Sequence, residues 1–223
     1  HFEFGSDMKQ DMLLGEGLNL HALLMEATRP SAPWHMGLPT DRIESPDRRR
    51  EWTFFLSILS ELAGPVGAPE ILLLVLRYAS ALLNRSVVFM IRKKYLIGMG
   101  QSGLQFSDEE ADARIKKIRI PLSEPSIFSE AIRSQASYKG PLAQLDWHQY
   151  FIDQIGGDWP SSVFLSPLMD GRNPVALLYG DHVSHAQPLP DTRGLEAFIR
   201  VAGMAYTKIM LERKLVENKE EAP

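Results

Sequence analysis

The residues best suited to metal chemistry stand together in one short segment, Asp181-His182-Val183-Ser184-His185. Neutral imidazoles and carboxylates are common ligands of divalent transition metals. A metal site needs several ligands that ordered neighbours hold in place, and no further strong ligand stands near this segment. The pattern therefore favours a solvated loop after a strand, with metal binding as the less favoured alternative.

The chain carries none of the common catalytic signatures: it lacks a GxSxG nucleophile elbow, a GxxxxGK[ST] phosphate loop and an HExxH zinc motif. Gly98-x-Gly100-x-x-Gly103 matches the letters of a dinucleotide-binding loop, but it ends a predicted hairpin strand and no predicted helix follows it. The absence of cysteine excludes disulfides, thiolate metal sites, catalytic thiols and thioether-linked chromophores. We therefore predict a protein that is not an enzyme and has no cofactor.

A group of aromatic residues is the best candidate for binding a small molecule. Trp147-His148-x-Tyr150-Phe151 lies on a predicted helix, and ligand pockets are mostly apolar with a few polar groups. The predicted ligand-binding residues are Phe128, Tyr138, Trp147 and Phe151. The alternative is that these rings fill the hydrophobic core while His148 points to water.

Three consecutive cations, Arg92-Lys93-Lys94, occupy a predicted hairpin turn. Such a cluster could attract an anionic partner. A charged turn is more often simply solvated, and the sequence favours that interpretation.

The composition is that of an ordinary globular protein, with 44% hydrophobic and 23% charged residues among 223. The net charge of −4 argues against nucleic acid as a partner, because phosphate binding needs a basic surface. No uncharged run approaches the roughly 18 apolar residues of a membrane span, so we expect no membrane partner. Without cysteine or a signal peptide, the default localisation is cytoplasmic. Because the chain begins at His1, we expect it to be a piece of a longer protein.

Periodicity and composition divide the chain into four parts. Residues 1–29 contain one predicted strand and one predicted helix, too little to form a core alone. Residues 30–46 are rich in proline and have the composition of a linker. Residues 47–217 form the main domain, and residues 218–223 are a charged tail.

The main domain alternates hairpins and helices. Helices are predicted over 47–63, 69–83, 124–134 and 191–217, with another beginning at Asp146; Ser123 and Asp146 are predicted N-caps. Strands are predicted over 87–91, 95–99, 118–120, 163–169 and 174–179, with an acidic loop at 108–112. Two hairpins with helices at both ends predict an α+β fold built on an antiparallel sheet.

The two terminal helices of this domain predict a parallel homodimer. Leu195, Ala202, Ile209 and Val216 recur every seven residues, as in a helix–helix seam. The helix over 47–63 carries more apolar surface than one packing edge needs, and its predicted interface residues are Trp52, Phe55 and Leu59. The alternative is that both helices bury these faces on the sheet of their own subunit.

Residues from about 47 to 215 resemble a bacterial GAF-like sensor domain. The segments that carry the resemblance are Leu76-Arg77-Tyr78-Ala79-Ser80, Leu83-Asn84-Arg85, Gly98-Met99-Gly100-Gln101, Ile118-Arg119-Ile120-Pro121-Leu122, Pro125-Ser126 and Ala176-Leu177-Leu178-Tyr179-Gly180-Asp181. The resemblance implies a central antiparallel sheet of five or six strands with helices on both faces. The first and last helices would share one face, and the short helices between Ser123 and Ile155 would cover the other, where GAF ligands usually sit.

Residues 1–29 resemble the C-terminal end of a PATAN domain, through Phe2-x-Phe4 and Leu23-Leu24-Met25-Glu26-Ala27. PATAN and GAF-like units joined in this way imply a bacterial signalling protein with further signalling domains. The cysteines of bilin-binding and methionine-sulfoxide-reducing relatives are absent, and so is the NKxnFx3DE pattern of cyclic-nucleotide-binding GAF domains. The expected function is a non-catalytic regulatory domain with a possible small-molecule ligand; the alternative is a purely structural dimerisation or interaction module.

Overall fold

The structure is a computed structural model, and it describes residues 46–106, 110–183 and 188–220. The predicted strand and helix of residues 1–29 and residues 30–45 of the predicted linker lie outside the described residues, and Pro46, the last residue of that linker, is helical. Ser184 and His185 of the histidine-containing segment also lie outside them. No helix within the described ranges is long and apolar enough to cross a membrane.

Six helices and six strands make up the described part of the chain. In chain order they are α1 (Pro46–Leu62), α2 (Ala68–Ser80), β1 (Arg85–Arg92), β2 (Tyr95–Ser102), α3 (Ala111–Lys117), β3 (Arg119–Pro121), α4 (Ile127–Ser134), β4 (Tyr138–Gly140), α5 (Asp146–Gln154), β5 (Val163–Asp170), β6 (Asn173–Asp181) and α6 (Arg193–Glu220). Helix α6 runs to Glu220, so the first residues of the predicted tail, 218–223, are helical.

All six strands join one antiparallel sheet in the order β3-β2-β1-β6-β5-β4. Both predicted hairpins are present, and their turns need backbone in the left-handed region. Lys93 has a φ of 56° between β1 and β2, and Gly171 has a φ of 58° between β5 and β6. The predicted α+β class with a central antiparallel sheet and helices on both faces is confirmed.

Alternate residues of the central strands point to opposite faces of the sheet, as the pleat requires. Val88 and Leu178 face the layer of α1, α2 and α6. Phe89 and Tyr179 face the layer of α3, α4 and α5. The expectation that the first and last helices share one face, with the short helices on the other, is therefore confirmed.

Helix α6 approaches the sheet closely because Gly203 faces β5. A Cβ atom at Gly203 would lie 2.6 Å from the carbonyl oxygen of Met169, which is too close for any side chain. The inward face of the helix is buried against the sheet, with no more than 2% exposed at Leu195, Phe198, Ile199 and Ala202. Burial of Leu195, Phe198 and Ile199 stabilises by about 1.5–3 kcal/mol each, so this face fixes α6 to its own subunit.

Some local predictions were wrong. Of the acidic loop predicted at 108–112, Ala111 and Asp112 instead begin helix α3, and residues 108–109 lie outside the described ranges. Seven residues with Ile115 as the one buried side chain show too little periodicity to be recognised. Helix α4 is capped by Ser126 rather than Ser123, because Ser126 Oγ accepts from Ser129 N–H at 3.1 Å. Helix α5 has Leu145 at its N-cap position, and Asp146 is its first helical residue.

Candidate functional site

Two of the four predicted ligand-binding residues, Phe128 and Phe151, meet between the helices α4 and α5 and the sheet. Both are completely buried, and their ring centroids lie 5.2 Å apart at an interplanar angle of 85°. Phe151 also contacts Tyr179 at 4.7 Å and Phe89 at 5.5 Å between centroids, both edge-on. Edge-to-face pairs at these distances are favourable, so the four rings form a filled apolar layer.

Tyr138 and Trp147, the other two predicted residues, lie at the periphery of the same layer and are half-buried. The hydroxyl of Tyr138, on the edge strand β4, donates to the carbonyl oxygen of Pro141 at 2.7 Å. The indole of Trp147 meets the ring of Tyr150 edge-on, with centroids 5.5 Å apart. The structure thus places two of the predicted residues in the packed core and two on its rim.

His148 is 1% exposed, so the expectation that it points to water was wrong. Its Nε2 accepts a hydrogen bond from the backbone N–H of Ile127 at 2.8 Å. Its Nδ1 therefore carries the proton and donates to the carbonyl oxygen of Ala143 at 2.7 Å. Burial lowers the pKa of His148, and the bond to Ala143 offsets part of that effect. The neutral ring ties α5 to the first N–H of α4, which has no partner within its own helix.

A buried ion pair that the sequence analysis did not find closes one end of this layer. The guanidinium of Arg85, at the start of β1, donates from Nε and Nη2 to the two carboxylate oxygens of Asp181, each at 2.8 Å. The same guanidinium donates to the carbonyl oxygens of Ile155 at 3.2 Å and Asp158 at 3.0 Å, just after α5. Asp181 is completely buried, and the two-bond ion pair with Arg85 offsets the cost of burying its charge.

The hydroxyl of Tyr179 also donates to Asp181. Burial raises the pKa of Tyr179 well above its ordinary value, and the neighbouring charge of Asp181 raises it further. Both carboxylate oxygens of Asp181 thus have hydrogen-bond partners within the protein, and the carboxylate is not free to bind a metal. The ring of His182 instead contacts the carbonyl oxygen of Leu82, with Nε2 at 2.9 Å. Across the described ranges, no group of three possible ligands could hold a metal ion.

The glycines of Gly98-x-Gly100-x-x-Gly103 serve backbone packing. A Cβ atom at Gly98 would lie 2.0 Å from the carbonyl oxygen of Ile115 in α3. A Cβ atom at Gly103, whose φ is 83°, would lie 1.8 Å from the carbonyl oxygen of Asn84. The motif therefore allows α3 and the start of β1 to approach β2.

The predicted interface residues differ in how much surface they have to offer a partner. Leu195 and Ala202 are completely buried in their own subunit, so an interface on α6 has to use other positions. Ile209, Phe55 and Leu59 are half-buried against the helical core. Of the predicted set, the strongly exposed residues are Val216 at 56% and Trp52 at 58%.

The exposed apolar stripe of α6 lies elsewhere, at Met204, Leu211 and Leu215, which are 69%, 56% and 61% exposed. With about 100° per residue, this stripe lies roughly opposite the inward face that contains Ala202. It borders a groove of about 640 Å³ whose other wall includes Met169 of β5. Sequence reasoning missed the stripe because two apolar series share this helix.

No protein-family model and no curated protein matches the sequence. Solved structures do match it. The GAF domain/HD domain protein from Geobacter sulfurreducens is 12% identical with a TM-score of 0.55, over 67% of this chain and 98% of that one. The GAF domain of a phosphoenolpyruvate-protein phosphotransferase from Coxiella burnetii is 10% identical with a TM-score of 0.55, over 76% and 98%.

The phycocyanobilin-bound GAF domain from a cyanobacterial phytochrome is 10% identical with a TM-score of 0.54, over 73% of this chain and 96% of that one. Nearly the whole of each similar domain is thus matched by about two thirds to three quarters of this chain. The strand order, the two helical layers and these likenesses agree. The described part of the chain has the fold of GAF domains.

Proposed function

We propose that the chain is a non-catalytic regulatory domain of the GAF type that acts in bacterial signal transduction. It pairs with a second copy of itself and passes changes between attached signalling domains through the paired helices. We place this activity in the cytoplasm. The similar GAF domains support the regulatory role, because they include a phytochrome domain and a domain of an HD-domain protein.

The exposed stripe on α6 carries this proposal. Val201, Met204, Lys208, Leu211 and Leu215 follow the alternating three- and four-residue spacing of a coiled-coil seam. A soluble subunit gains little from leaving three large apolar side chains in a row exposed on one helix. Covering each of them in a pair of subunits would stabilise the pair by about 1–2 kcal/mol.

A second copy of the chain is the occupant that this stripe suits. The spacing lets the same helix face of both subunits interlock about a two-fold axis, the commonest symmetry of soluble oligomers. Lys208 interrupts the apolar seam, and one polar residue at such a position lowers stability while it specifies register. Trp52, exposed on α1, adds apolar surface on the same helical layer.

Light scattering after gel filtration tests the pairing. At tens of micromolar we expect twice the chain mass for the wild type and the single chain mass for Met204→Glu combined with Leu211→Glu. The matched control is Leu145→Glu, since Leu145 is 42% exposed but lies at α5, on the opposite face of the sheet. A wild-type mass of one chain, or equal loss of the pair in the control, would overturn the proposal.

The substitution Ile209→Asp tests whether the inward-facing residues of α6 act differently from its exposed apolar stripe. Ile209 packs against the helical core of its own subunit, so an unpaired charge there should lower the stability of the subunit itself. Circular dichroism of the three α6 changes should therefore show native helix content for Met204→Glu with Leu211→Glu and a lower unfolding temperature for Ile209→Asp.

A small-molecule sensor is the second candidate, and the half-buried rim formed by Tyr138 and Trp147 favours it. In this proposal a ligand enters beside Trp147, moves towards Phe128 and Phe151, and displaces aromatic rings on its way. A thermal-shift screen of small molecules checks it: a hit should lose its effect in Trp147→Ala while the unliganded melting temperature changes little. If no compound stabilises the wild type, the purely structural dimerisation module is the better description.

A further inference from the structure

A second surface, which differs in chemistry from the apolar stripe of α6, lies at the tip of the β1–β2 hairpin. It is a groove of about 670 Å³ lined by Ile91, Arg92, Lys93, Tyr95, Ile97 and Arg119. The hairpin supplies five of these residues and the edge strand β3 supplies the sixth. The hydrogen-bonded register pairs Arg92 with Tyr95 and Ile97 with Arg119, so the sheet itself fixes their spacing.

The groove is basic although the chain is acidic. It presents three cations and no carboxylate, whereas the whole chain has a net charge of −4. Within the described ranges, the carboxylates that form ion pairs do so with cations outside this groove. None of them pairs with Arg92 or Lys93. Cations left without a local counter-charge and gathered in one groove favour an anionic ligand.

One of these cations is held in position by the fold. Nη1 of Arg119 donates to the carbonyl oxygens of Lys116 at 2.6 Å and Ile118 at 2.7 Å. A guanidinium that is already oriented loses less entropy when it binds a carboxylate than a free side chain does. Arg119 is therefore the best preorganised anion-binding group of the groove.

The walls between the cations are apolar. Tyr95 is 48% exposed, and Ile91 and Ile97 are half-buried. A simple inorganic anion would use only the cations, and a polyanion would need a longer basic track than three side chains offer. An acidic peptide with an apolar side chain between its carboxylates would use both features.

We propose that this groove binds an acidic peptide segment of a partner protein, with carboxylates on Arg92, Lys93 and Arg119 and an apolar side chain against Tyr95 and Ile97. This site goes beyond the proposed pairing through α6 and does not depend on it. The segment lies along the tip of the hairpin and adds no strand to the sheet. Its recognition is through charge and one apolar contact.

Fluorescence anisotropy with a panel of labelled octapeptides tests the site. Each peptide has four Asp or Glu residues around a central Leu, Phe or Trp, and its partner peptide has Asn or Gln instead. We expect micromolar binding of at least one acidic peptide, weakening as NaCl is raised, and no binding of its neutral partner. Absence of binding tighter than millimolar across the panel would overturn the proposal.

Matched arginine variants locate the binding. Arg92→Glu should weaken it about tenfold or more, the effect of losing one charge-assisted hydrogen bond. Arg193→Glu makes the same charge change at an exposed residue at the start of α6, far along that helix from Thr207, which contacts the hairpin turn at Gly171, and should leave binding within twofold of wild type. Equal losses in the two variants would show a general charge effect and reject the groove.

The same assay with other anions decides the chemical class. A single-stranded oligonucleotide and vesicles that contain phosphatidylserine are expected to bind more weakly than the best peptide. If either of them binds more tightly, and Arg92→Glu abolishes that binding, the groove is a phosphate-binding surface and the peptide proposal fails. Tyr95→Ala should weaken peptide binding without changing how strongly that binding depends on salt.

Discussion

Removing the ring of Phe151 is the most direct perturbation of the layer in which a ligand was expected. Phe151 is completely buried and its ring contacts those of Phe89, Phe128 and Tyr179. Replacement by alanine removes the buried ring and leaves a cavity, which together cost about 3–5 kcal/mol. For a domain of this size each kcal/mol lowers the melting temperature by about 2–4 °C, so a decrease of about 6–20 °C is expected.

Urea unfolding followed by circular dichroism measures the free energy of unfolding of wild type, Phe151→Ala and Tyr150→Ala. Tyr150 neighbours Phe151 in sequence but is half-buried with Trp147 as its ring contact, so its loss should cost about 1–2 kcal/mol. Equal losses in the two variants, or less than about 1 kcal/mol for Phe151→Ala, would refute a filled layer.

Benzene provides a second readout, because a new apolar cavity stays dry and can take up a small apolar molecule. Benzene should raise the melting temperature of Phe151→Ala and leave that of the wild type unchanged. Stabilisation of the wild type to the same extent would mean that an open pocket already exists beside Phe151. That result would favour the sensor over the structural module.

Three further predictions concern the groups that hold the layers together. Because burial lowers the pKa of His148, the unfolded chain binds a proton below about pH 6.5 that the folded chain does not. Stability should therefore fall with decreasing pH by up to about 1.4 kcal/mol per unit, and His148→Gln should remove this part of the dependence in urea titrations. Asp181→Asn leaves the charge of Arg85 buried and should cost about 3–5 kcal/mol in the same assay. Gly98→Ala should lower the melting temperature, whereas Gly100→Ala, whose Cβ would meet its nearest neighbour at 3.6 Å, should not.

The strands could be predicted from sequence because their signal is local. The apolar run around Val87 to Ile91 and the charged turn after it mark β1 and β2 without reference to the rest of the chain. The pairing of β1 with β6 could not be derived in this way. Arg85 and Asp181 stand 96 residues apart, and their contact exists only once the sheet is assembled.

The orientation of single side chains was harder to predict than the elements. His148 is on the helix where it was expected, but its ring is buried, and there its Nε2 accepts a hydrogen bond from the N–H of Ile127 at the start of α4. Helix α6 carries Leu195 and Ala202 on one face and Met204 and Leu211 on another, each pair seven residues apart. Spacing alone cannot tell which face the sheet covers; the close approach at Gly203 settles it.

The two outermost strands of the sheet are both very short: β3 and β4 have three residues each, and β3 ends in Pro121. An open sheet edge is a template on which another extended chain can build, and it is the usual starting point of strand exchange and fibril growth. Three residues offer an incoming strand only about one or two ladder hydrogen bonds, and in β3 one of the three has no N–H. The short edges therefore disfavour polymerisation of crowded copies through backbone hydrogen bonds. A lasting association between copies has to be made by side chains.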